Sequence, residues 1–584
     1  MAETKLAPDT IGTVGNYTTF FDLSGTRVPL DRLMRELGMF RRSEIIEWAA
    51  TVLQIVGEHS GQSPATQSEI VALCLDEPLA SSALVALQRQ GRSVLFHRRQ
   101  LWLIIQFASL VCGEEGTSVT CLKNTFGRFC LIASDCFHAI QRSHVSIDID
   151  EKQKLEWQVA LLLSIPEIMP DANALARAQL FWFDSMADSN VQRMLKKCGI
   201  QNGLDDVFLG QYGISLSEMF FALVTVYKYL TAQTKVRPIV PIMVTADGDW
   251  WGGVSSETRS HVLKMLSVPI DKFPAHLLGN PRQSWATDSS PLMACPFIEV
   301  KAGKFVCPDI GFLRLFFVDA IYWLLNKALY KTEWGNAFGA IYEWYVMQVL
   351  STALNRRAET QNIYFDNVKF KGTTDEVCDG LILNGDCAFL FEFKGTRLTT
   401  RQKSGVSVDE TIDAIRKSVA SRGIGVGQLA KSIARIFQNE VVVSGERVLP
   451  IASKPIIVPI LVWYEESACN AHTRLFLDDV FMGLLKDANI DPSRTGPVLL
   501  LSTHDLETLE RCSEYMQPDQ LLKEFSDFVL NNPTDDRVTF MRYIVAAFRN
   551  KPQPKGFIGE KIDLLFEKAK AEHAKRSETK AHKS

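Results

Sequence analysis

Residues Val377 to Gly395 read VCDGLILNGDCAFLFEFKG, and this stretch decides the fold. Two apolar runs flank Asn384-Gly385, and Asn-Gly between such runs is the strongest short-range signal for a two-residue β-hairpin. Both runs are apolar on both faces, as expected of strands that are buried on both sides of an α/β sheet. The sequence therefore predicts a buried hairpin inside a sheet.

Three charged residues interrupt this apolar hairpin. Because side chains alternate along a strand, Asp379, Glu392 and Lys394 are predicted to lie on one face. A loop formed by Asn384-Gly385 places Asp379 opposite Leu390 and diagonal to Glu392, at roughly 7–8 Å between their backbones. Buried charges are costly unless they are paired or bind a metal. The pattern predicts either a structural acid–lysine pair or a site for a hard divalent cation.

The cation site accounts for all three side chains. Mg²⁺ prefers carboxylate oxygens and uses one or two of them together with water and substrate phosphate. A bound cation lowers the pKa of its water and stabilises the charge that develops on phosphorus. A lysine on the same face can neutralise the phosphate or hold the attacking water. We expect Mg²⁺ as the cofactor, with Mn²⁺ also supporting activity.

The D-x(12)-E-x-K spacing from Asp379 to Lys394 resembles the PD-(D/E)xK nuclease superfamily, which has the restriction-endonuclease-like fold with an αβββαβ core. The resemblance covers residues 291–510, and the family's proline before the first aspartate is Cys378 here. The chain supplies the expected elements in order: a helix from Trp334 to Leu354, a strand within Ile363 to Phe370, the two hairpin strands, a helix from Gly427 to Gln438 and a strand from Ile456 to Tyr464.

The resemblance implies further site residues. Glu343 on the first helix matches a glutamate that reaches the metal in many members, so the predicted metal ligands are Asp379, Glu392 and Glu343; the alternative for Glu343 is a surface acid. Gln428 matches a polar residue on the helix after the glutamate strand, and Lys431 follows one turn later. The glycines at the start of that helix would let backbone amides approach a phosphate. They are Gly423, Gly425 and Gly427.

Cations follow the predicted catalytic strand directly. Arg397, Arg401 and Lys403 are predicted, with Lys431, to bind nucleic acid, because contacts to phosphate dominate non-specific affinity. The alternative is a solvated loop whose charges are partly matched by nearby acids.

A length of 584 residues predicts two to four domains. We expect an α+β multidomain protein with a mostly helical unit over residues 1–290, a nuclease domain over 291–550 and a polar, helical tail over 551–584. No catalytic constellation precedes residue 290. The helical half is therefore predicted to sense a signal, to bind a protein partner or a second copy of the chain, or to position the substrate.

The composition, 46% hydrophobic and 22% charged with a formal net charge of −4, excludes a chain that is mainly disordered and one that is polybasic throughout. The first residues lack the apolar core of a signal peptide, and no apolar run is long enough to span a bilayer. Twelve scattered cysteines without a C-x-x-C pair argue against a structural zinc site and a disulfide framework. We expect a cytoplasmic protein that does not enter a membrane.

These patterns together predict a metal-dependent nuclease that hydrolyses phosphodiester bonds of DNA, as an endonuclease in a prokaryotic defence or restriction-like system. Two alternatives stay open. One is a catalytically silent protein of the same fold that binds nucleic acid or assists assembly. The other is a nuclease for RNA or for branched DNA in repair. The presence of all three core residues favours an active enzyme.

Overall fold

Helices make up most of the first 270 residues. Several begin at a side-chain cap: Ser63 accepts a hydrogen bond from the amide of Thr66, and Ser255 from that of Thr258, as expected at a helix N-terminus. These helices are α1 (Phe20–Ser24), α2 (Leu30–Leu37), α3 (Arg42–Val56), α4 (Pro64–Cys74), α5 (Leu79–Gln90), α6 (Arg98–Val111), α7 (Lys123–Arg142), α8 (Glu151–Leu163), α9 (Ala174–Trp182), α10 (Ser189–Lys197), α11 (Leu204–Tyr212), α12 (Leu216–Thr234) and α13 (Ser256–Leu266).

The computed structural model describes residues 18–56, 63–90, 94–118, 123–142, 150–163, 173–234, 243–273, 294–329, 333–355, 363–364, 368–403, 407–452, 455–533, 535, 538–549, 551, 554–561 and 564. Helices of the second half are α14 (Ile310–Leu315), α15 (Ile321–Ala328), α16 (Trp334–Asn355), α17 (Thr400–Lys403), α18 (Val408–Ile415), α19 (Val426–Phe437), α20 (Ala471–Asp487), α21 (Thr503–Cys512), α22 (Pro518–Asn531) and α23 (Phe540–Ala547). A π-helical turn, Phe316–Ala320, joins α14 to α15.

The described strands form three sheets, so the chain has an α+β fold. The strands are β1 (Met243–Thr245), β2 (Ser267–Pro269), β3 (Phe297–Lys301), β4 (Lys304–Val306), β5 (Ile363–Tyr364), β6 (Val368–Phe370), β7 (Gly380–Asn384), β8 (Cys387–Lys394), β9 (Val442–Ser444), β10 (Arg447–Val448), β11 (Ile456–Trp463) and β12 (Leu499–Ser502).

The central sheet has the strand order β5-β7-β8-β11-β12. Strands β8, β11 and β12 are parallel, whereas β7 is antiparallel to both β5 and β8. The carboxyl ends of the three parallel strands therefore meet at one edge of the sheet, where the antiparallel β7 begins. We call this the carboxyl edge. In open α/β sheets, ligands bind outside this edge.

Strand β8 is buried on both faces, as its composition predicts. Phe389, Phe391 and Phe393 share a hydrophobic core with Phe338 and Tyr342 of α16. The intervening Ala388 and Leu390 share another with Leu429 and Ile433 of α19. Each fully buried phenylalanine contributes about 1.5–3 kcal/mol of burial free energy. Because side chains alternate, Glu392 and Lys394 lie on the α19 face of the sheet.

The elements follow one another in the predicted order, with one correction. The segment Ile363 to Phe370 was predicted to hold a single strand, but it contains two strands that belong to different sheets. Strand β5 pairs with β7 at the edge of the central sheet, and β6 pairs with β9 in a small three-stranded sheet. The prediction missed this division because strands of two and three residues are too short to show a pattern of alternating apolar and polar residues.

The predicted domain boundary at residues 290 and 291 is wrong, because a four-stranded sheet crosses it. Strand β2 pairs with β3, and β1 pairs with β4. The two faces of this sheet enter different cores. Val268 and Ile298 pack with helices from the first 133 residues, whereas Val244 and Phe305 belong to the core that contains α16. The helices up to α13 therefore do not form a separate unit.

The C-terminal tail begins as part of the fold. Residues 556–561 are helical, and Ile558 is buried in the core that contains α16. The amide of Phe557 donates to Glu510 at 3.0 Å. The remainder of the predicted tail helix lies largely outside the described residues.

Within the described ranges, no single helix combines the length and apolarity of a membrane span; α11 and α12 pass that test only as a pair bent by 81°.

Candidate active site

The β7–β8 hairpin turns one residue later than predicted. Asn384 pairs with Cys387, so the loop is Gly385-Asp386. Gly385 has φ of +58°, whereas Asp386 has no positive φ. This suits a type II′ turn, which has glycine first, and not the type I′ turn that Asn-Gly favours. The side chain of Asn384 donates to Asp519 at 2.7 Å, which holds Asn384 in the strand.

The later turn removes the predicted partner of Asp379. Leu390 pairs with Leu381, so the predicted pairing of Asp379 with Leu390 is wrong. The last pair of the hairpin is Gly380 with Phe391, so Asp379 lies one residue before the strand. It is close enough to Glu392 for its charge to raise the pKa of that carboxyl group.

Asp379 closes the end of the hairpin at the carboxyl edge. Its amide donates to the carbonyl of Phe391 at 3.0 Å, and its Oδ2 accepts from the amide of Phe393 at 2.6 Å. Burial raises the pKa of Asp379 to about 6, against the lowering effects of Lys394 and of the Phe393 amide. The aspartate is thus partly buried, held by the backbone and easier to protonate than usual.

Glu392 is 0% exposed and hydrogen-bonds Lys394 through Oε1. Burial, followed by repulsion from Asp379, raises the pKa of Glu392 to about 8, although Lys394 acts in the opposite direction. Burial lowers the pKa of Lys394, but Glu392 and Asp379 outweigh this effect and raise it above its usual value. The Glu392 carboxyl group and the Lys394 ammonium therefore shift each other's pKa in a site from which water is largely excluded.

The second oxygen of Glu392 is the unusual feature of the site. Its Oε2 is buried and accepts no hydrogen bond from any residue that the structure describes. A buried acceptor without a partner costs about 1–3 kcal/mol, and more if it is charged. Unpaired buried polar atoms call for a specific explanation. A cation between Glu392 and Asp379 would supply the missing partner.

The predicted third metal ligand, Glu343, does not join the pair as a ready-made cluster. Among the residues that the structure describes, no three histidine, cysteine, aspartate or glutamate side chains are grouped as a metal site. Glu343 is partly buried on α16, and its charge contributes to the raised pKa of Lys394. It therefore lies close enough to Lys394 to act electrostatically. The donor set that fits a cation is the pair Asp379 and Glu392.

Helix α16 approaches the end of β8 closely, which is why Glu343 is near Lys394. A Cβ added to Gly395 would lie 3.2 Å from Cβ of Tyr342 and 3.3 Å from Cα of Gly339. A side chain at this position would push the helix away by a few tenths of an ångström. The glycine directly after Lys394 thus sets the spacing between the two elements.

Gln428 and Lys431 lie on α19, the helix that packs on the face occupied by Glu392. Gln428 is partly buried in the first turn, without a hydrogen bond to Asp379, Glu392 or Lys394. Lys431 is exposed and forms no ion pair with a described residue. Both remain predictions, and Lys431 is the better placed of the two to meet a ligand from solution.

Close packing within the chain explains why two of the positions at the start of α19 are glycine. A Cβ on Gly425 would lie 2.1 Å from the carbonyl oxygen of Val419, and one on Gly427 would lie 1.9 Å from that of Ser421. Gly425 also has φ of +59°. Close approach of the chain to itself explains these two positions, so they are not evidence for a phosphate.

The basic segment after β8 differs from its prediction. The structure does not support Arg397 as a nucleic-acid contact, because this arginine is 3% exposed and pairs with Asp319 at 2.7 Å. Lys403 forms an ion pair with the buried Glu465 at 3.1 Å. The side chain of Arg401 lies outside the described residues. The segment is fastened to the fold through Arg397 and Lys403 and is not a free loop.

Sequence reasoning missed Asp319 and Glu465, which hold this segment. Asp319 lies in the π-helical turn, and Glu465 follows β11. Glu465 could have been found, since a parallel strand after β8 must bring its carboxyl end beside that of β8. Asp319 gives no signal in the sequence, because its contact with Arg397 spans 78 residues.

Comparisons of the chain with protein-family models, with curated proteins and with solved structures gave no match.

Proposed function

We propose that the chain is a metal-dependent nuclease of the PD-(D/E)xK type that hydrolyses DNA. One observation carries the proposal: the fully buried Glu392, beside Asp379 and in contact with Lys394, has one carboxylate oxygen without a hydrogen-bond partner in the described part of the chain. The location at the carboxyl edge and the order of the surrounding elements support it. A purely structural acid–lysine pair would be expected to satisfy both carboxylate oxygens.

The residues present fit a hard divalent cation. Asp379 and Glu392 would hold it, and two carboxylates are the usual protein contribution to an Mg²⁺ site. Mn²⁺ has the same preference for oxygen ligands and is proposed as a substitute. When bound, such an ion supplies charge neutralisation at phosphorus and a lowered pKa of water.

The side chains divide the remaining tasks. Glu392 is buried and accepts a hydrogen bond from Lys394, whereas Asp379 is anchored by the amide of Phe393. Lys394 is 19% exposed, so its ammonium can reach a phosphate oxygen from solution while it contacts Glu392. A fixed positive charge in a partly dry site stabilises developing negative charge better than it does in water. Glu343 adds negative charge near Lys394 and favours its ammonium form.

A cleavage assay tests the proposal. Supercoiled plasmid, single-stranded DNA and RNA are incubated with the full chain and with Mg²⁺, Mn²⁺ or EDTA. The same assay is run on Glu392→Gln and on Glu510→Gln, which alters another glutamate that is 0% exposed. We expect metal-dependent cutting of DNA by the parent and by Glu510→Gln, and none by Glu392→Gln. Cutting by Glu392→Gln at the parent rate would refute the site, and cutting of RNA alone would replace DNA as the substrate.

A further inference from the structure

A fixed segment follows the catalytic strand. We call residues 394–403 the strap. The carbonyl of Lys394 accepts from the amide of Tyr464 at 2.9 Å, and that of Thr396 accepts from the indole of Trp463 at 2.9 Å. Both donors lie at the end of β11, the neighbouring parallel strand. These bonds extend the pairing of β8 with β11 beyond the sheet.

Glu465 fastens the distal part of the strap. Its Oε2 accepts from the amide of Leu398 at 3.1 Å, and its Oε1 pairs with Lys403 at 3.1 Å. Glu465 is buried and also accepts from the hydroxyl of Ser467. This carboxylate therefore has a full set of partners, unlike Glu392. Its role is explained by the strap alone.

Arg397 is the centre of the strap. Its guanidinium pairs with Asp319 and lies 4.9 Å from the ring centre of Tyr464, 5.3 Å from that of Tyr322 and 5.9 Å from that of Trp323. A cation enclosed by aromatic faces is held by their negative electrostatic potential. Arginine suits such a site because its planar group can stack and form an ion pair at the same time.

Asp319 comes from a different part of the fold, the π-helical turn between α14 and α15. Such turns insert one extra residue into a helix and are frequent at functional sites. Burial would raise the pKa of Asp319, but Arg397 more than offsets this effect, and the pKa lies below its usual value. The hydroxyl of Tyr464 donates to the same carboxylate at 3.2 Å. Asp319 is thus held as an anion that faces the strap.

The strap ties Arg397 to Lys394 through only two intervening residues, Gly395 and Thr396. Displacement of Arg397 is therefore transmitted over a short backbone path to Lys394. We propose that Arg397 and Asp319 are positioning residues, whose ion pair fixes the strap and thereby the place of the Lys394 ammonium beside Glu392. The catalytic consequence rests on the proposed nuclease function, whereas the mechanical link from Arg397 to the strap does not.

The experiment uses the full chain and three variants. Arg397→Met removes the guanidinium and keeps similar volume, and Asp319→Asn removes only the charge of its partner. Arg474→Met is the matched control, because Arg474 is also 3% exposed and pairs with Asp478 at 2.7 Å, on α20. Two quantities are measured: hydrogen exchange of the peptide that covers the strap, without substrate, and kcat and KM for plasmid cleavage.

We expect faster strap exchange in Arg397→Met and Asp319→Asn, with kcat lowered by about 100-fold and KM close to that of the parent. Arg474→Met should change neither strap exchange nor kcat. Unchanged strap exchange in both strap variants would overturn the proposal, as would kcat values equal to those of the control. If Arg397→Met does not fold, Asp319→Asn decides, since its side chain is 25% exposed.

The two proposals fail separately. If the parent cuts no nucleic acid with any metal, the nuclease function fails, and strap exchange alone then decides whether Arg397 and Asp319 fix the strap. If the parent cuts and both strap variants cut equally fast, the nuclease function stands and the positioning role is refuted.

Discussion

Glu392 carries a buried carboxylate whose two oxygens have different surroundings. Oε1 contacts Lys394, and Oε2 has no hydrogen-bond partner among the described residues. Burial is the main reason why the pKa of Glu392 is raised. The ionised form of this carboxyl group is therefore unfavourable in the folded chain. A group that the fold makes difficult to ionise is a common sign of a functional site. The residue-scale predictions follow from this raised pKa and from that of Asp379.

Without metal, the stability of the fold should fall as pH rises. The pKa of Glu392 is about 8 in the folded chain, against 4.5 for an unperturbed glutamate. The folded state therefore binds the proton more tightly than the unfolded state does. This contribution is complete below pH 4.5 and is lost as pH rises through about 8. Its size is on the order of a few kcal/mol.

Thermal unfolding midpoints in EDTA between pH 5 and pH 8 check this prediction. The midpoint of the parent should decrease across the range, and that of Glu392→Gln should decrease less, because its amide does not ionise. Equal slopes for the two proteins would show that Glu392 keeps an ordinary pKa.

Binding of Mg²⁺ should strengthen over the same pH range. Both carboxyls must lose their protons to bind a cation, and their pKa values of about 6 and about 8 place that loss between weakly acidic and weakly basic pH. Calorimetric titration at pH 6, 7 and 8 should give rising affinity for the parent and for Glu510→Gln. Affinity that does not change with pH would place the ion elsewhere.

Much of the site at this scale could be predicted from the sequence, because strand alternation depends only on residue parity. Glu392 and Lys394 share the face of β8 that packs against α19, as the alternation predicts. The register could not be predicted, because Asn384-Gly385 and Gly385-Asp386 are both acceptable turns. The contact from Asn384 to Asp519 accompanies the later turn, and it joins residues that are 135 positions apart.

At the scale of elements, the start of α19 sets how closely this helix approaches the sheet. Gly425 and Gly427 contact backbone carbonyls of the preceding π-helical turn, Arg416–Ala420, and of Ser421. The side chains that follow, Leu429 and Ile433, pack against β8. A change at the start of α19 should therefore affect the packing of the whole helix.

Gly427→Ala should destabilise the fold by about 1–3 kcal/mol, because the new Cβ would lie 1.9 Å from the carbonyl oxygen of Ser421. Gly423→Ala is the matched control, since its Cβ would meet nothing within 4 Å. Chemical unfolding of the two variants compares them. Equal stability would mean that the chain before α19 moves freely, and that close packing does not explain Gly427.

Element types and order could be predicted well where the apolar pattern is long. Helix α16 extends from Trp334 to Asn355, and β11 from Ile456 to Trp463, each within a residue of its predicted end. The apolar pattern does not predict short strands such as β5 and β6. The sheet that each of them joins depends on pairing with a strand that is distant in the sequence. The π-helical turn that carries Asp319 has no recognisable local signature.

At the scale of the whole molecule, the helical first half is joined to the rest by a buried polar network. Arg177 of α9 donates to Glu507 of α21 at 2.8 Å. Tyr345 of α16 donates to the same carboxylate at 2.6 Å, and Asn173 donates to its other oxygen at 2.7 Å. The helix that bears Glu343 is therefore attached to residues that lie before the predicted boundary.

Arg177→Met should cost about 3–5 kcal/mol, because it leaves the buried carboxylate of Glu507 without its ion-pair partner. Arg193→Met is the control from a neighbouring helix, where the arginine forms only an exposed hydrogen bond to Asn190. Denaturant unfolding of the two variants measures the difference. Equal losses would show that the network does not hold the two halves together.

The domain organisation was the least predictable part. Loop-rich sequence around residue 290 indicates a boundary, but β1 and β2 cross it to pair with β4 and β3. When two strands that are tens of residues apart pair, neither segment alone contains a sequence signal that predicts its partner. The extent of a core shared by α9, α16 and the tail residue Ile558 can be seen only in the folded chain.

The most direct test of the account is to locate Mn²⁺ in crystals of the full chain by its anomalous scattering. We predict one strong peak at bonding distance from both Asp379 and Glu392, lost in Glu392→Gln and retained in Glu510→Gln. No peak between these two carboxylates at saturating Mn²⁺, or a peak that persists there in Glu392→Gln, would contradict the account.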